Sequence, residues 1–97
     1  MSKFHSEQVN MLMEAIISIK DAKTCKMFFE DICTIKELQE MSQRLQVAKE
    51  LKNGKNYIDI SKSTGASTAT ISRVNKCLVY GSGGYNAVLT ALEAKSE

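Results

Sequence analysis

The 97-residue sequence contains no proline and no tryptophan, one histidine, five glycines and three cysteines. A chain with so few helix-breaking residues is expected to be mostly helical. With His5 as its single histidine and with no phosphate-loop pattern, it offers no constellation for catalysis, so an enzyme is not expected. Cys25, Cys33 and Cys77 form no close pair, which argues against disulfides and a metal site and predicts small buried thiols.

Long apolar runs are also missing from the sequence. No segment approaches the length of a membrane-spanning helix, and residues 1–5 lack the apolar core of a secretion signal. A cytoplasmic location is therefore expected. With 43% hydrophobic and 25% charged residues, the composition is ordinary for a globular protein, and the length suits a single domain over residues 1–97.

Positive charge is concentrated in one part of the chain. The net charge of +2 divides into −2 over residues 1–42, +5 over residues 43–80 and −1 over residues 81–97. The middle segment carries seven basic residues against two acidic ones. A surface that binds phosphates needs such a concentration, although a solvated lysine-rich face would look the same.

Two N-terminal segments place apolar residues at helical spacing. Helices are predicted over about residues 6–20 and 21–32 from two stripes: Val9, Leu12, Met13, Ile16, Ile17, and then Ala22, Cys25, Phe28, Phe29, Ile32. Their broad Met- and Phe-rich faces are more than a small monomer can cover. We therefore expect residues 1–33 to form the dimerisation region of a homodimer with a shared core. The alternative is a compact monomer whose N-terminal hairpin folds onto residues 56–78 of its own chain.

A long central helix is predicted over residues 34–54. Thr34 and Glu37 form a capping box at its start, and Asn53-Gly54 ends it with a glycine suited to a left-handed cap. Its inward positions are expected to be Leu38, Met41, Leu45, Ala48 and Leu51. After residues 56–78, the glycines at 81–84 predict a flexible joint, and a last helix over residues 86–96 has Val88, Leu89 and Leu92 as its apolar face.

Residues 56–78 have the pattern of a helix-turn-helix. Asn56 caps a short helix that ends near Thr64, Gly65 takes the turn position that needs positive φ, and Ser67 caps a second helix over about 68–78. Ser61 is small where the two helices cross, and Ala66 packs inward. The core that locks the two helices together is expected to contain Ile60, Ile71 and Val74.

The remaining side chains at the start of the second helix point outward and predict DNA binding. A helix fits the major groove, where its N-terminal residues reach base edges. Base contacts are predicted for Thr68, Ala69 and Ser72, and phosphate contacts for Lys62, Ser67, Arg73 and Lys76. Because none of the base-facing side chains is a long bidentate reader, water and DNA shape are expected to contribute. A protein- or RNA-binding adaptor built on the same scaffold is the alternative.

The segments 42–51 and 65–73, read as SQRLQVAKEL and GASTATISR, resemble the Trp repressor family, and most closely its YerC/YecD branch. The resemblance covers about residues 33–92 well. It implies an all-α, intertwined homodimer of about six helices per chain. It also implies a transcriptional repressor that reads a near-palindromic operator with half-sites about one DNA turn apart.

The family resemblance also implies a pocket for a co-repressor, L-tryptophan in the family's namesake. Arg44 and Arg73 match its two ligand-holding arginines, and Thr34 and Thr70 match two further pocket positions. However, Val74 stands where the family has glycine, and Cys77 stands where it has serine. The added bulk of Val74 is expected to cost about 1–3 kcal/mol of ligand affinity. L-Tryptophan is therefore disfavoured: no cofactor is expected to be required, and another small co-repressor stays open.

Overall fold

The computed structural model describes residues 6–96, so His5 lies outside the described residues. Within that range the chain forms α-helices and no strand, which confirms the predicted all-α class with about six helices. The helices are α1 Glu7–Ser18, α2 Ala22–Ile32, α3 Ile35–Lys52, α4 Tyr57–Thr64, α5 Thr68–Tyr80 and α6 Gly84–Ser96. No helix in this range is long and apolar enough to cross a membrane.

The helices fall into two compact units, a first unit that ends at Leu38 and a second unit that begins at Gln39. The organisation of residues 1–97 as one domain stays a prediction. Each unit has its own pattern of helix caps and of buried residues.

Local capping bonds define the helices of the first unit. The Ser6 hydroxyl accepts from the Val9 N–H at 3.2 Å and begins α1, and the Asp21 carboxylate accepts from the Thr24 N–H at 2.7 Å and begins α2. The predicted capping box is confirmed, because Thr34 and Glu37 exchange side-chain bonds to each other's N–H at 3.0 and 2.8 Å. No residue of α1 or α2 is buried.

The second unit has a core of its own. Its buried apolar residues come from α3, α4, the turn, α5 and α6: Val47, Ala48, Ile60, Ala66, Ile71, Val74 and Leu89. Four partly buried side chains pack against them: Leu51, Tyr57, Leu78 and Tyr85. The predicted inward positions of Ile60, Ala66, Ile71 and Val74 are therefore confirmed, and this core joins the helix-turn-helix to its supporting helices.

The end of α3 has the predicted glycine cap. Gly54 has φ +83°, its N–H donates to the Leu51 carbonyl at 3.0 Å, and the Lys55 N–H donates to the Glu50 carbonyl at 3.1 Å. These paired bonds are a Schellman motif, which supplies partners to the last carbonyls of a helix. Asn56 then caps α4 as predicted, with its side-chain oxygen accepting from the Asp59 N–H at 2.9 Å.

Three details differ from the sequence predictions. Leu45 is 36% exposed, because the inward face of α3 is centred on Val47 and Ala48 instead. Cys77 is exposed, so the prediction of buried thiols is wrong there, whereas Cys25 and Cys33 are half-buried. The predicted joint at 81–84 is shorter than expected, because α5 extends to Tyr80 and α6 begins at Gly84.

A close backbone approach explains why a glycine ends α5. The Gly81 N–H donates to the Cys77 carbonyl at 2.9 Å, and a Cβ placed on Gly81 would lie 2.3 Å from that same oxygen. Any other residue would force this last turn open. The Asn86 amide donates to the Leu78 carbonyl at 3.3 Å and links α6 to the end of α5.

Candidate nucleic-acid interface

The turn between α4 and α5 is fixed by hydrogen bonds. Gly65 has φ +76°, and its N–H donates to the Ser61 carbonyl at 2.9 Å. A Cβ at Gly65 would meet only the Gln43 amide, at 3.9 Å, so the backbone angle rather than space requires glycine here. The Ser61 hydroxyl donates to the Ala66 carbonyl at 2.8 Å, so this residue also ties the turn to α4.

The Thr64 side chain completes the turn. Its hydroxyl donates to the Ile60 carbonyl at 2.7 Å and accepts from the Ala66 N–H at 3.1 Å. Both backbone groups are thereby satisfied where the chain changes direction. These hydrogen bonds, together with the one from Ser61 to Ala66, restrain the turn and so help to fix the direction of α5 relative to α4.

Ser67 begins α5 and is engaged with its own helix. Its hydroxyl accepts from the Thr70 N–H at 3.2 Å and donates to the Thr70 hydroxyl at 3.1 Å. The first two N–H groups of α5, those of Thr68 and Ala69, have no acceptor within the helix. At this position the backbone of α5 is therefore better placed than the Ser67 hydroxyl to donate to an anion.

α5 has two distinct faces. Ile71 and Val74 are buried and Leu78 is half-buried, so this side of the helix belongs to the core. The other side is exposed and carries the residues predicted to contact DNA: Thr68, Ala69, Ser72, Arg73 and Lys76. Lys62, on α4, is also exposed. The exposed face begins with small side chains near the helix N-terminus and becomes basic toward its middle.

Two residues of the same surface were not predicted from the sequence. Tyr57 and Ile58 line an open cleft of about 430 Å³ together with Ser61, Lys62 and Thr68. Ile58 is 68% exposed although its neighbour Ile60 lies in the core. The alternating Tyr-Ile-Asp-Ile sequence indicates opposite faces but does not say which isoleucine points outward.

The residues matched to a co-repressor pocket lie in both units and differ in exposure, and the pocket itself stays a prediction. Thr34 lies in the first unit, where its hydroxyl caps α3. Val74 is 1% exposed and fills the core, and the Thr70 hydroxyl is bonded to Ser67. Arg44 is half-buried and Arg73 is exposed.

Cys77 lies instead beside an open, mainly apolar cavity of about 460 Å³, which it lines with Leu45, Gly81, Ser82, Gly83, Gly84, Tyr85 and Val88. No arginine is among these lining residues. Among residues 6–96, no group of three or more His, Cys, Asp or Glu side chains is arranged to hold a metal ion.

Comparison with known proteins gives consistent matches along most of the chain. The profile of the Trp repressor protein family matches residues 7–93. The chain is 47% identical over 87 residues to YerC, an uncharacterized protein of Bacillus subtilis strain 168, covering 90% of this chain and 84% of that protein.

Two solved structures share both fold and sequence with this chain. A Trp repressor-like protein from Eubacterium eligens ATCC 27750 superposes with a TM-score of 0.90 at 49% identity, covering 94% of each chain. A protein from Staphylococcus aureus described as a candidate Trp repressor superposes with a TM-score of 0.89 at 42% identity, covering 94% of this chain and 91% of the other.

Proposed function

Because the chain belongs to the Trp repressor family, a family of DNA-binding regulators rather than enzymes, we propose that it is a sequence-specific transcriptional repressor that reads DNA with α5. The observation that carries this proposal is the division of α5 into two faces. Ile71 and Val74 fix the helix to the core, while the opposite face presents small, polar and basic side chains to solvent. This is the arrangement that a helix in the major groove requires.

The proposed contacts divide along α5. Thr68, Ala69 and Ser72 meet base edges, with methyl groups suited to thymine and hydroxyls that donate or accept. Phosphates are held by Lys62, Arg73 and Lys76, with the free N–H groups at the helix start beside Ser67. Ile58 adds an apolar side chain at the edge of this surface, where it can pack on a sugar or a thymine methyl.

We propose that the first unit assembles two chains into a homodimer. Six large apolar side chains of this unit are exposed: Met11, Met13, Ile17, Met27, Ile32 and Ile35. Apolar side chains exposed in such number on one small unit mark a protein interface. A second copy of the same chain is the proposed partner, and it would present two recognition helices to a near-palindromic operator in the cytoplasm.

We further propose that DNA binding requires no L-tryptophan. Val74 occupies the core at a position that the family's pocket keeps open, and Cys77 brings no hydroxyl to a ligand's amino group. A regulator of this kind would bind DNA without a ligand, and another small effector stays open.

Selection from sheared genomic DNA tests the proposal. Purified protein without added ligand is mixed with genomic fragments, and the bound fragments are sequenced. A recurrent palindrome is expected, and its affinity should fall at least about 100-fold between 50 and 200 mM salt, as the neutralisation of four or more phosphates requires.

Two other outcomes would contradict parts of the proposal. Recovery of a palindrome only when L-tryptophan is present would contradict ligand-independent binding. Retention of no duplex, or binding to a partner with a flat salt dependence, would contradict DNA recognition and favour the adaptor function.

A further inference from the structure

Glu50 on α3 is the one buried charged residue among those the structure describes. It is 4% exposed and lies beside the apolar core of the second unit, near Val47 and Leu51 along the same helix. Glutamate is almost never fully buried unless it is paired, because removing its charge from water costs several kcal/mol. The Glu50 carboxylate is therefore expected to have polar or charged partners.

Three polar groups from three parts of the second unit satisfy the Glu50 carboxylate. The Ser63 hydroxyl, on α4, donates to Oε1. The Gln46 amide, on α3, donates to Oε2 at 3.0 Å, and the Lys55 Nζ, in the loop before α4, lies 3.6 Å from Oε1. The Ser63 bond, then the Gln46 bond and the Lys55 charge hold the pKa of Glu50 below its ordinary value, so the group is ionised at neutral pH.

A second tie from α3 reaches the next residue of α4. The Gln43 amide donates to the Thr64 carbonyl at 3.2 Å. Gln43 and Glu50 are seven residues apart, two turns of α3, so both lie on the same side of that helix. Between them Val47 is fully buried. Ser63 and Thr64, the last two residues of α4, are thus each hydrogen-bonded to a side chain of α3. The turn to α5 follows immediately.

The hydrogen bonds between α3 and the end of α4 affect the orientation of α4 as well as the stability of the fold. Apolar contacts are not directional, whereas a carboxylate with three hydrogen-bonding or charged partners favours one arrangement of the groups around it. Gly65 and Ala66 follow Ser63 and Thr64 directly, and Ala66 is hydrogen-bonded to the side chains of Ser61 and Thr64. A displacement of the end of α4 would therefore be passed on to α5.

We propose that Glu50 is a positioning residue for DNA recognition, acting through Ser63 to set how the helix-turn-helix sits on α3. The inference rests on the proposed function, since it assigns a role in presenting α5 to DNA. A purely structural role would lower the stability of the fold and leave the specificity of the folded protein unchanged. The two roles are therefore separable by experiment.

The test compares Ser63→Ala with Ser63→Thr, which leave the net charge unchanged and differ in the hydroxyl that Glu50 accepts from. Affinity is measured for the selected duplex and for a shuffled duplex of equal length, at one salt concentration and at a temperature where circular dichroism shows both variants folded. Ser63→Ala is expected to lower the ratio of the two affinities about tenfold, and Ser63→Thr to stay within about twofold of wild type. Binding to the shuffled duplex should not change.

A second pair tests the carboxylate itself. Glu50→Gln and Glu40→Gln remove the same charge from α3, but Glu40 is exposed. Only Glu50→Gln is expected to lower the specificity ratio, which is the affinity for the selected duplex divided by the affinity for the shuffled duplex. An unchanged ratio in both Ser63→Ala and Glu50→Gln would overturn the proposal.

Hydrogen exchange separates failure of this proposal from failure of the proposed function. If wild-type protein binds no duplex, the role in DNA recognition fails together with the function. The tie between α3 and α4 is then judged by the amides of residues 57–64. Faster exchange there in Ser63→Ala than in Ser63→Thr would support the tie, and equal exchange would contradict it.

Discussion

The two units of the chain treat their apolar side chains in opposite ways. The second unit buries seven apolar residues in a core that draws on four helices and a turn. In the first unit α1 and α2 bury none, and Ile17 and Ile35 are 81% and 78% exposed. One unit therefore carries the contacts that specify its own packing, whereas the other leaves several large apolar side chains exposed, as expected of a protein interface.

Polar bonds show the same contrast. In the first unit they join residues three apart, as in the caps at Asp21 and Thr34, and so they fix where helices begin. In the second unit some join residues far apart in sequence, such as Gln43 with Thr64 and Glu50 with Ser63. Local caps define helices, while long-range bonds define how helices are arranged. The arrangement of α3, α4 and α5 that the proposed DNA recognition needs is thus specified within the second unit.

The largest expected effect is loss of the second unit's core. Ile71→Ala should lower the free energy of unfolding by about 2–5 kcal/mol, because the truncation leaves a cavity beside Ile60 and Val74. Urea denaturation measures this change. Ile58→Ala is the matched control, since the same truncation at an exposed position should cost less than about 0.5 kcal/mol. Equal losses in the two variants would contradict the assignment of the core.

A substitution on the exposed face of α5 should break function without breaking the fold. Ala69→Asp places a negative charge toward DNA and should weaken specific binding about 100-fold, equivalent to about 2.7 kcal/mol. Its thermal unfolding should stay close to that of wild type, because Ala69 is exposed. Ser82→Asp adds the same charge in the loop after α5 and serves as the control. Unchanged operator affinity in the Ala69 variant would remove α5 from the interface.

A charge on the exposed apolar face of the first unit should weaken dimerisation and leave the fold of the chain intact. Ile17→Asp puts a charge on the exposed apolar face of α1 and should weaken dimerisation at least about tenfold, as a buried unpaired charge opposes association. Sedimentation equilibrium measures the dissociation constant. Asn10→Asp introduces the same charge at an exposed polar position of α1 and should have little effect. A monomeric wild-type protein would contradict the proposed homodimer.

The smallest expected effect is on the stability of the fold at acidic pH. The pKa of Glu50 is held below its ordinary value by bonds from Ser63 and Gln46 and by Lys55, so the folded state favours the charged form. This stabilisation is complete above the pKa of the unfolded state and is lost as the pH falls through the lower folded value, below about pH 4. Denaturation midpoints measured between pH 7 and pH 3 should fall less steeply for Glu50→Gln than for Glu40→Gln. Parallel profiles would contradict the bonded carboxylate.

Local signals account for what the sequence predicted well. The capping box of Thr34, the glycine cap at Gly54, and the caps at Asn56 and Ser67 depend on residues three or four apart, and all four are confirmed. The inward positions of the helix-turn-helix followed from the spacing of its apolar residues in the same way. Such contacts need no knowledge of tertiary structure.

What the sequence did not predict depends on distant parts of the chain. The pairing of Glu50 with Ser63 spans 13 residues, and a glutamate on an amphipathic helix is normally taken as exposed. Cys77 was predicted to be buried because of its residue type, but the turn at Gly81 leaves it beside an open cavity. The outward position of Ile58 was settled by the packing of Ile60. The DNA contacts and the dimer stay predictions.

Hydroxyl-radical footprinting on the selected duplex tests both units at once. If the second unit reads DNA and the first unit pairs two chains, the protein should protect two patches on one face of the duplex, centred about 10 base pairs apart. The Ile17→Asp variant should lose this paired protection at concentrations where wild type retains it. A single protected patch for wild type, or uniform protection without sequence preference, would contradict the account.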